Sequence, residues 1–172
     1  MCLANRLLRL MTAPPSRMHD VDTYRIEKHR LAIAVRVRGG VVLDGFVFAQ
    51  IATDGGHEDA EHILNGPDEY FPLVSASGGT LLVAKNRVLE AVPEVPPEIE
   101  ESRRTLAPRA EVELTLEDGS RRRGGIYIEL PHERPRVLDF LNFAGARFVA
   151  LYSGGGLSLI NRQAIACVHP LD

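Results

Sequence analysis

Ile33-Ala-Val-Arg-Val-Arg-Gly-Gly-Val-Val-Leu-Asp-Gly45 lies without a gap over Val112-Glu-Leu-Thr-Leu-Glu-Asp-Gly-Ser-Arg-Arg-Arg-Gly124. Ile33, Val35 and Val37 fall on Val112, Leu114 and Leu116, and Gly40 and Gly45 fall on Gly119 and Gly124. The match runs on through Val47-Phe48-Ala49-Gln50 over Ile126-Tyr127-Ile128-Glu129, then Ile63-Leu64-Asn65 over Phe140-Leu141-Asn142 and Phe71 over Phe148. Val83 to Val92 lies over Leu159 to Val168. Ordered matches along two stretches of one chain mark a duplicated unit.

The shared residues have a plain physical reading. Apolar side chains at every second position are the period of a half-buried strand. Arg38-Gly39-Gly40 and Glu117-Asp118-Gly119 are hairpin turns, where glycine adopts positive φ at little cost. Gly45 and Gly124 fall inside the next strand and predict a bulge or sharp bend. A short helix follows, at about 58–64 and 135–141. Three short strands complete each unit, near 70–75, 80–84 and 87–92, and near 147–153, 156–160 and 163–169. The predicted core is Ile33, Val35, Val37, Val47, Leu64, Phe71, Val112, Leu114, Leu116, Ile126, Leu141, Phe148, Leu159 and Ile165.

The expected organisation is residues 1–20 as a disordered tail or an upstream start, with Met11 or Met18 as the true first residue. Residues 21–92 form repeat one, 93–108 a linker and 109–172 repeat two. Pro93, Pro96, Pro97 and Pro108 keep the ends of the linker out of sheet interior. Between them, 98–106 reads as a short helix: its acidic residues come first and Arg103 and Arg104 last, which suits the helix dipole. The segment Met1–Met18 lacks the uninterrupted apolar core of a secretory signal, because Arg6 and Arg9 break it. A cytoplasmic location is the expectation.

Composition bounds the function classes. The chain has 172 residues and 18.9 kDa, the size of one ordinary domain or two very small ones. Hydrophobic residues make up 45% and charged residues 25%, a globular rather than a disordered balance. A net charge of -3 argues against a strongly basic nucleic-acid binder. Two cysteines exclude a disulfide scaffold and a cysteine-based zinc site. No apolar run approaches the ~18 residues of a membrane-crossing helix, so no membrane insertion is expected.

Each repeat resembles the Sm-like family of small β-barrels, the second most clearly. Val112-Glu-Leu-Thr-Leu-Glu-Asp-Gly119 looks like the family's first strand and turn, and Gly124 like the glycine of its bent second strand. Leu159-Ile-Asn-Arg-Gln-Ala-Ile165 with Val168 looks like its closing signature. Asn161-Arg162 stands where the family carries Arg-Gly, and extra residues follow Asn65 and Asn142. These are the family's RNA-contacting positions, so the resemblance implies the barrel more than the RNA contacts. The tandem pattern also resembles bacterial proteins grouped as a domain of unknown function. The expected fold is therefore mainly β: two tandem Sm-like or SH3-like small barrels, each with an inserted short helix, either separate or merged into one pseudo-symmetric body.

Four features carry candidate chemistry. His57-Glu58-Asp59-Ala60-Glu61-His62 could supply metal ligands, with His57, Glu58 and His62 as the basis of a metal-dependent enzyme. Repeat two has nothing like it, so a solvated charged helix start is favoured and no catalytic, cofactor or metal residue is assigned. Arg121, Arg123, Arg134, Arg136 and Arg147 could form an anion or nucleic-acid face on repeat two, set against a solvated edge strand guarded by charge. Asp118, Ser120 and Gly124, after Arg103, Arg104 and Arg109, loosely resemble the PilZ cyclic-dinucleotide signature, with one residue more before the glycine. Cys167 aligns with Ala91 and reads as a buried structural cysteine, and His169 as exposed. The leading functional reading is a non-catalytic interaction or regulatory module that binds another macromolecule, a protein first. RNA or nucleotide binding through the arginines is the alternative, and the metal enzyme comes last. A symmetric homo-oligomer through exposed strand edges is also an expectation.

Overall fold

Period-two alternation produces strands where it was read, and the turns fall on the expected glycines. The computed structural model describes residues 28–50, 58–97, 101–130, 136–143, 145–154 and 156–171. In the first half, β1 (Lys28–Val37) and β2 (Val42–Gln50) form a hairpin, followed by α1 (Ala60–Asn65), β3 (Tyr70–Ser75), β4 (Thr80–Ala84) and β5 (Val88–Pro93). After α2 (Glu101–Leu106) the pattern recurs as β6 (Arg109–Leu116), β7 (Arg121–Tyr127), α3 (Val137–Asn142), β8 (Phe148–Ser153), β9 (Gly156–Asn161) and β10 (Ile165–Pro170). The turn glycines Gly39, Gly40 and Gly119 have φ of 99°, 82° and 79°, a region that side chains with a Cβ avoid. The expected tail at 1–20 lies outside the described residues.

All ten strands belong to one antiparallel sheet, in the order β10-β6-β7-β8-β9-β5-β1-β2-β3-β4. Each half enters it in the same internal order: last strand, first, second, third, fourth. The halves meet where β9 pairs with β5, with Glu90 opposite Ile160 and Ala91 opposite Leu159. The mainly β class is what forms. The sheet is open and not closed into a barrel, with β4 and β10 at its two edges.

The same ladders correct the alignment at the strand ends. Glu90 faces Arg36 and Ala91 faces Val35, while Cys167 faces Thr115 and Val168 faces Leu114. The counterpart of Cys167 is therefore Glu90 and not Ala91, a shift of one residue. Tyr70 faces Ala84 where Phe148 faces Asn161, so Phe148 answers to Tyr70 and not to Phe71. The bend expected at Gly45 and Gly124 is a close backbone approach. A Cβ on Gly124 would sit 2.5 Å from the carbonyl oxygen of Tyr152, and one on Gly45 would meet that of Val74 in the same way. Neither neighbour is a side chain that can swing aside. Gly124→Ala should cost about 1–3 kcal/mol, as overpacking does, with β7 pushed off β8. A urea midpoint unchanged from wild type would refute the close approach.

Two apolar clusters lie along the sheet. One gathers Ile33, Val35, Val47, Leu64, Phe71, Leu73 and Val88 of the first half with Phe148, Leu157 and Leu159 of the second. The other holds Val112, Leu114, Leu116, Ile126, Val149, Leu151 and Ile160, all from the second half. Alternate residues of β8 and β9 thus feed opposite clusters, which is why Phe148-Val-Ala-Leu-Tyr152 reads as a nearly continuous apolar run. Val37, Leu141 and Ile165, predicted as core, are only partly buried. For Leu141 the reason is positional: α1 is roofed by β8, whereas no residue of α3 is fully buried.

Candidate functional site

The acidic and histidine-rich segment before α1 builds a helix start. Asp59 is the N-cap, and its carboxylate accepts from the backbone N–H of His62 at 2.8 Å. The same oxygen lies 2.8 Å from His62 Nδ1, and this hydrogen bond raises the imidazole above its ordinary pKa. The Glu58 carboxylate accepts from the backbone N–H of Gln50. His57 lies outside the described residues. Among the described residues, no group of three or more His, Cys, Asp or Glu side chains is placed to hold a metal ion.

Several charged side chains bind the two halves together. Glu90 on β5, 5% exposed, receives Nε and Nη2 of Arg122 on β7, each at 2.7 Å, and Nη2 of Arg36 on β1 at 3.1 Å. Burial opposes its charge. The hydrogen bonds and charge of Arg122, the Ser158 hydroxyl and the charge of Arg36 outweigh burial and hold the carboxyl below the usual glutamate range. Arg36 also donates to Asp118 and Ser120 across the junction, and Arg38 pairs with Glu117. On the other side, Arg103 of α2 joins Glu61 of α1, Tyr152 of β8 and Glu129. The amide of Asn65 brackets Phe148, accepting from its N–H at 2.7 Å and donating to its carbonyl at 3.3 Å. Asn161, wholly buried, donates to the carbonyls of Lys85 and Val88.

Lys85 and Arg162 were not read from the sequence as a pair that closes helix ends, and they are equivalent. Lys85 Nζ donates to the carbonyls of Ile63 and Gly66 at the end of α1; burial lowers its pKa. Arg162 donates to the carbonyls of Leu141 and Phe143 at the end of α3. Each cation satisfies carbonyls that a helix end leaves open. The one-residue error in aligning the strand ends set Lys85 against Asn161 and hid the pair.

The five arginines proposed as an anion face fall in different places. Arg121 and Arg123 lie at the start of β7, and Arg121 reaches Glu113 at 3.4 Å. Arg147 precedes β8, toward the opposite end of the β7–β8 pair, and is bonded to Glu69 at 2.6 Å. Arg136 is the exposed N-cap of α3, and Arg134 lies outside the described residues. β7 is also not an edge strand: β6 and β8 flank it, so charge there does not guard an edge. The true edge β10 carries Cys167, which is exposed rather than buried. Its counterpart on β5 is covered by β9, and among the described residues β10 has no such neighbour. His169 is exposed, as expected.

Two further surfaces stand out among the described residues. A groove of ≈ 520 Å³ runs between the start of β1, α1 and the segment after β5, lined by Arg30, Leu31, Glu61, Val95, Arg103 and Tyr152 among others. Its charged rim is already paired, since Arg103 holds both Glu61 and Tyr152. The second surface is the outer face of β3 and β4. Tyr70, Pro72 and Leu82 stand there side by side, with Tyr70 60% and Leu82 74% exposed. The edge strand itself, Thr80-Leu-Leu-Val-Ala84, carries no charge. Open edges are normally blunted by charge, proline or a covering loop, and β4 itself carries neither charge nor proline.

Among the described residues, no helix is long and apolar enough to cross a membrane. No family model, curated protein or solved structure matches the chain.

Proposed function

We propose that this chain is a non-catalytic interaction module that binds another macromolecule, a protein in the first instance, through the open β3–β4 edge. The observation that carries the reading is the uncovered apolar face of Tyr70, Pro72 and Leu82 beside an edge strand without charge. Such an edge offers backbone hydrogen bonds to an added strand, and the apolar side chains supply affinity. The arrangement of charge points the same way: Glu90 pairs with Arg36 and Arg122 and ties β5 and β1 to β7, and Arg103, on the rim of the groove, is taken up by Glu61 and Tyr152. We read each half as an Sm-like unit. Support for this comes from the strand order repeated in both halves and from the equivalent close backbone approaches at Gly45 and Gly124.

The test is capture of partners by the tagged full-length chain from its native host, with and without nuclease, beside Leu82→Glu. A partner protein should survive nuclease, and Leu82→Glu should reduce it at least tenfold without lowering the melting temperature. A nuclease-sensitive eluate with high absorbance at 260 nm, unaffected by Leu82→Glu but lost in Arg121→Glu/Arg123→Glu, would replace this reading with nucleic-acid binding by the arginines.

A further inference from the structure

The junction between the halves shows what kind of surface the open β3–β4 face accepts. In β8 and β9, the paired positions Phe148/Asn161, Ala150/Leu159 and Tyr152/Leu157 lie on the face turned to the first half. The paired positions Tyr70/Ala84, Pro72/Leu82 and Val74/Thr80 occupy the same places in β3 and β4. One set is packed under α1 and β5, while the other is open at Tyr70 and Leu82. The first half therefore ends in a copy of the surface that the second half presents to it.

The complementary surface is open at the opposite end of the molecule. β5 takes β9 as its neighbour, and its counterpart β10 is a free edge among the described residues. Asn65 of α1 brackets the backbone of Phe148, and its counterpart Asn142 in α3 is exposed. Ala60 and Leu64 of α1 are buried, and α3 has no buried residue, with Leu138 65% exposed. We propose that these two faces bind each other between chains. β4 of one chain pairs with β10 of a second copy, repeating the β9–β5 junction, and the contact runs head to tail. This rests on the reading of the β3–β4 edge as a binding surface and names its partner.

The register follows from the junction. Glu90 opposite Ile160 and Ala91 opposite Leu159 become Cys167 opposite Val83 and Val168 opposite Leu82 of the next chain. The chemistry suits this pairing. Glu90 and Arg36, which must be paired when buried, are replaced by Cys167 and Thr115, so closing the contact strands no charge. A heterologous contact of this kind builds a ring where the rotation closes and a filament where it does not.

The experiment is sedimentation equilibrium of the full-length chain in reductant, which excludes disulfides through its cysteines. Wild type should have a mass of several times 18.9 kDa. Leu82→Glu and Cys167→Arg each alter an exposed side chain at one end, and each should be a folded monomer. Mixed in equal amounts they should form a dimer and nothing larger, because each supplies the end that the other lacks. A monomeric wild type, a variant that still assembles, or a mixture that stays monomeric would overturn the proposal. If wild type is monomeric while Leu82→Glu still loses a host partner, self-assembly fails and the binding reading stands.

Discussion

Glu90→Gln should lower the unfolding free energy by about 3 kcal/mol, the low end of what breaking a buried ion pair costs. The low end applies because Arg122 keeps some water. Glutamine preserves the shape of the side chain and removes the charge that two guanidiniums face. Arg36 keeps Asp118, while Arg122 exchanges two bonds to a carboxylate for at most one to a neutral amide oxygen. The effect has a defined pH dependence. The carboxyl titrates lower in the folded chain than in the unfolded one, so it binds fewer protons when folded. Its stabilisation is complete above the ordinary glutamate range and fades as pH falls through the lowered folded value. Urea titrations of wild type and Glu90→Gln should therefore converge in acid and separate near neutrality. A double-mutant cycle with Arg122→Met should return a coupling of about 1–3 kcal/mol. A loss below 1 kcal/mol at neutral pH would show that the junction does not depend on this carboxylate.

Asn161→Ala should cost about 2–4 kcal/mol, combining stranded polar groups with the void that remains. The side chain is wholly buried, and its amide bonds the carbonyls of Lys85 and Val88 in the other half. Its oxygen also accepts from the backbone N–H of Gln163, starting the tight turn into β10. The substitution removes the cross-half bonds and that turn bond together. Ala84, its counterpart, has no other half against it, so Ala84→Ser should change stability by less than 1 kcal/mol, as substitutions away from a buried network do. Equal losses at the two positions would contradict the asymmetry of the junction.

The repeat in the sequence was enough to place the strands, the turns and the two special strand glycines, because each rests on local signals: alternation, glycine and spacing. Burial was legible where a residue faces its own half, as at Val112 or Leu114. It was misread where burial depends on the neighbouring strand. Cys167 is exposed and Glu90 buried for one reason, that β9 covers β5 and no described strand covers β10. No local pattern encodes which strand lies beside which. The arginines of repeat two looked like one basic face because the sequence counts charges without their partners. In the fold, Arg122 belongs to Glu90 and Arg147 to Glu69. Asn161 and Arg162 stood out only as a departure from the resembled family, and their equivalence to Ala84 and Lys85 was hidden because a shift of one residue in the alignment separated equivalent positions. The open face of Tyr70, Pro72 and Leu82 was invisible for a related reason: an apolar residue on a strand reads as core until the neighbour is known to be missing.

The central claim is that the two halves are one body joined at β5 and β9, with β4 and β10 as its free edges. Amide hydrogen exchange tests it most directly, on Leu82→Glu so that the edges stay unpaired. Protection at Leu89–Ala91 and Leu159–Asn161 should equal that at Val112–Leu114, and Glu90→Gln should lower all three segments together. β4 and β10 should exchange faster than any of them. Exchange at β5 or β9 as fast as at β4 and β10, with Val112–Leu114 still protected, would mean that the halves are separate bodies, and the account would be wrong.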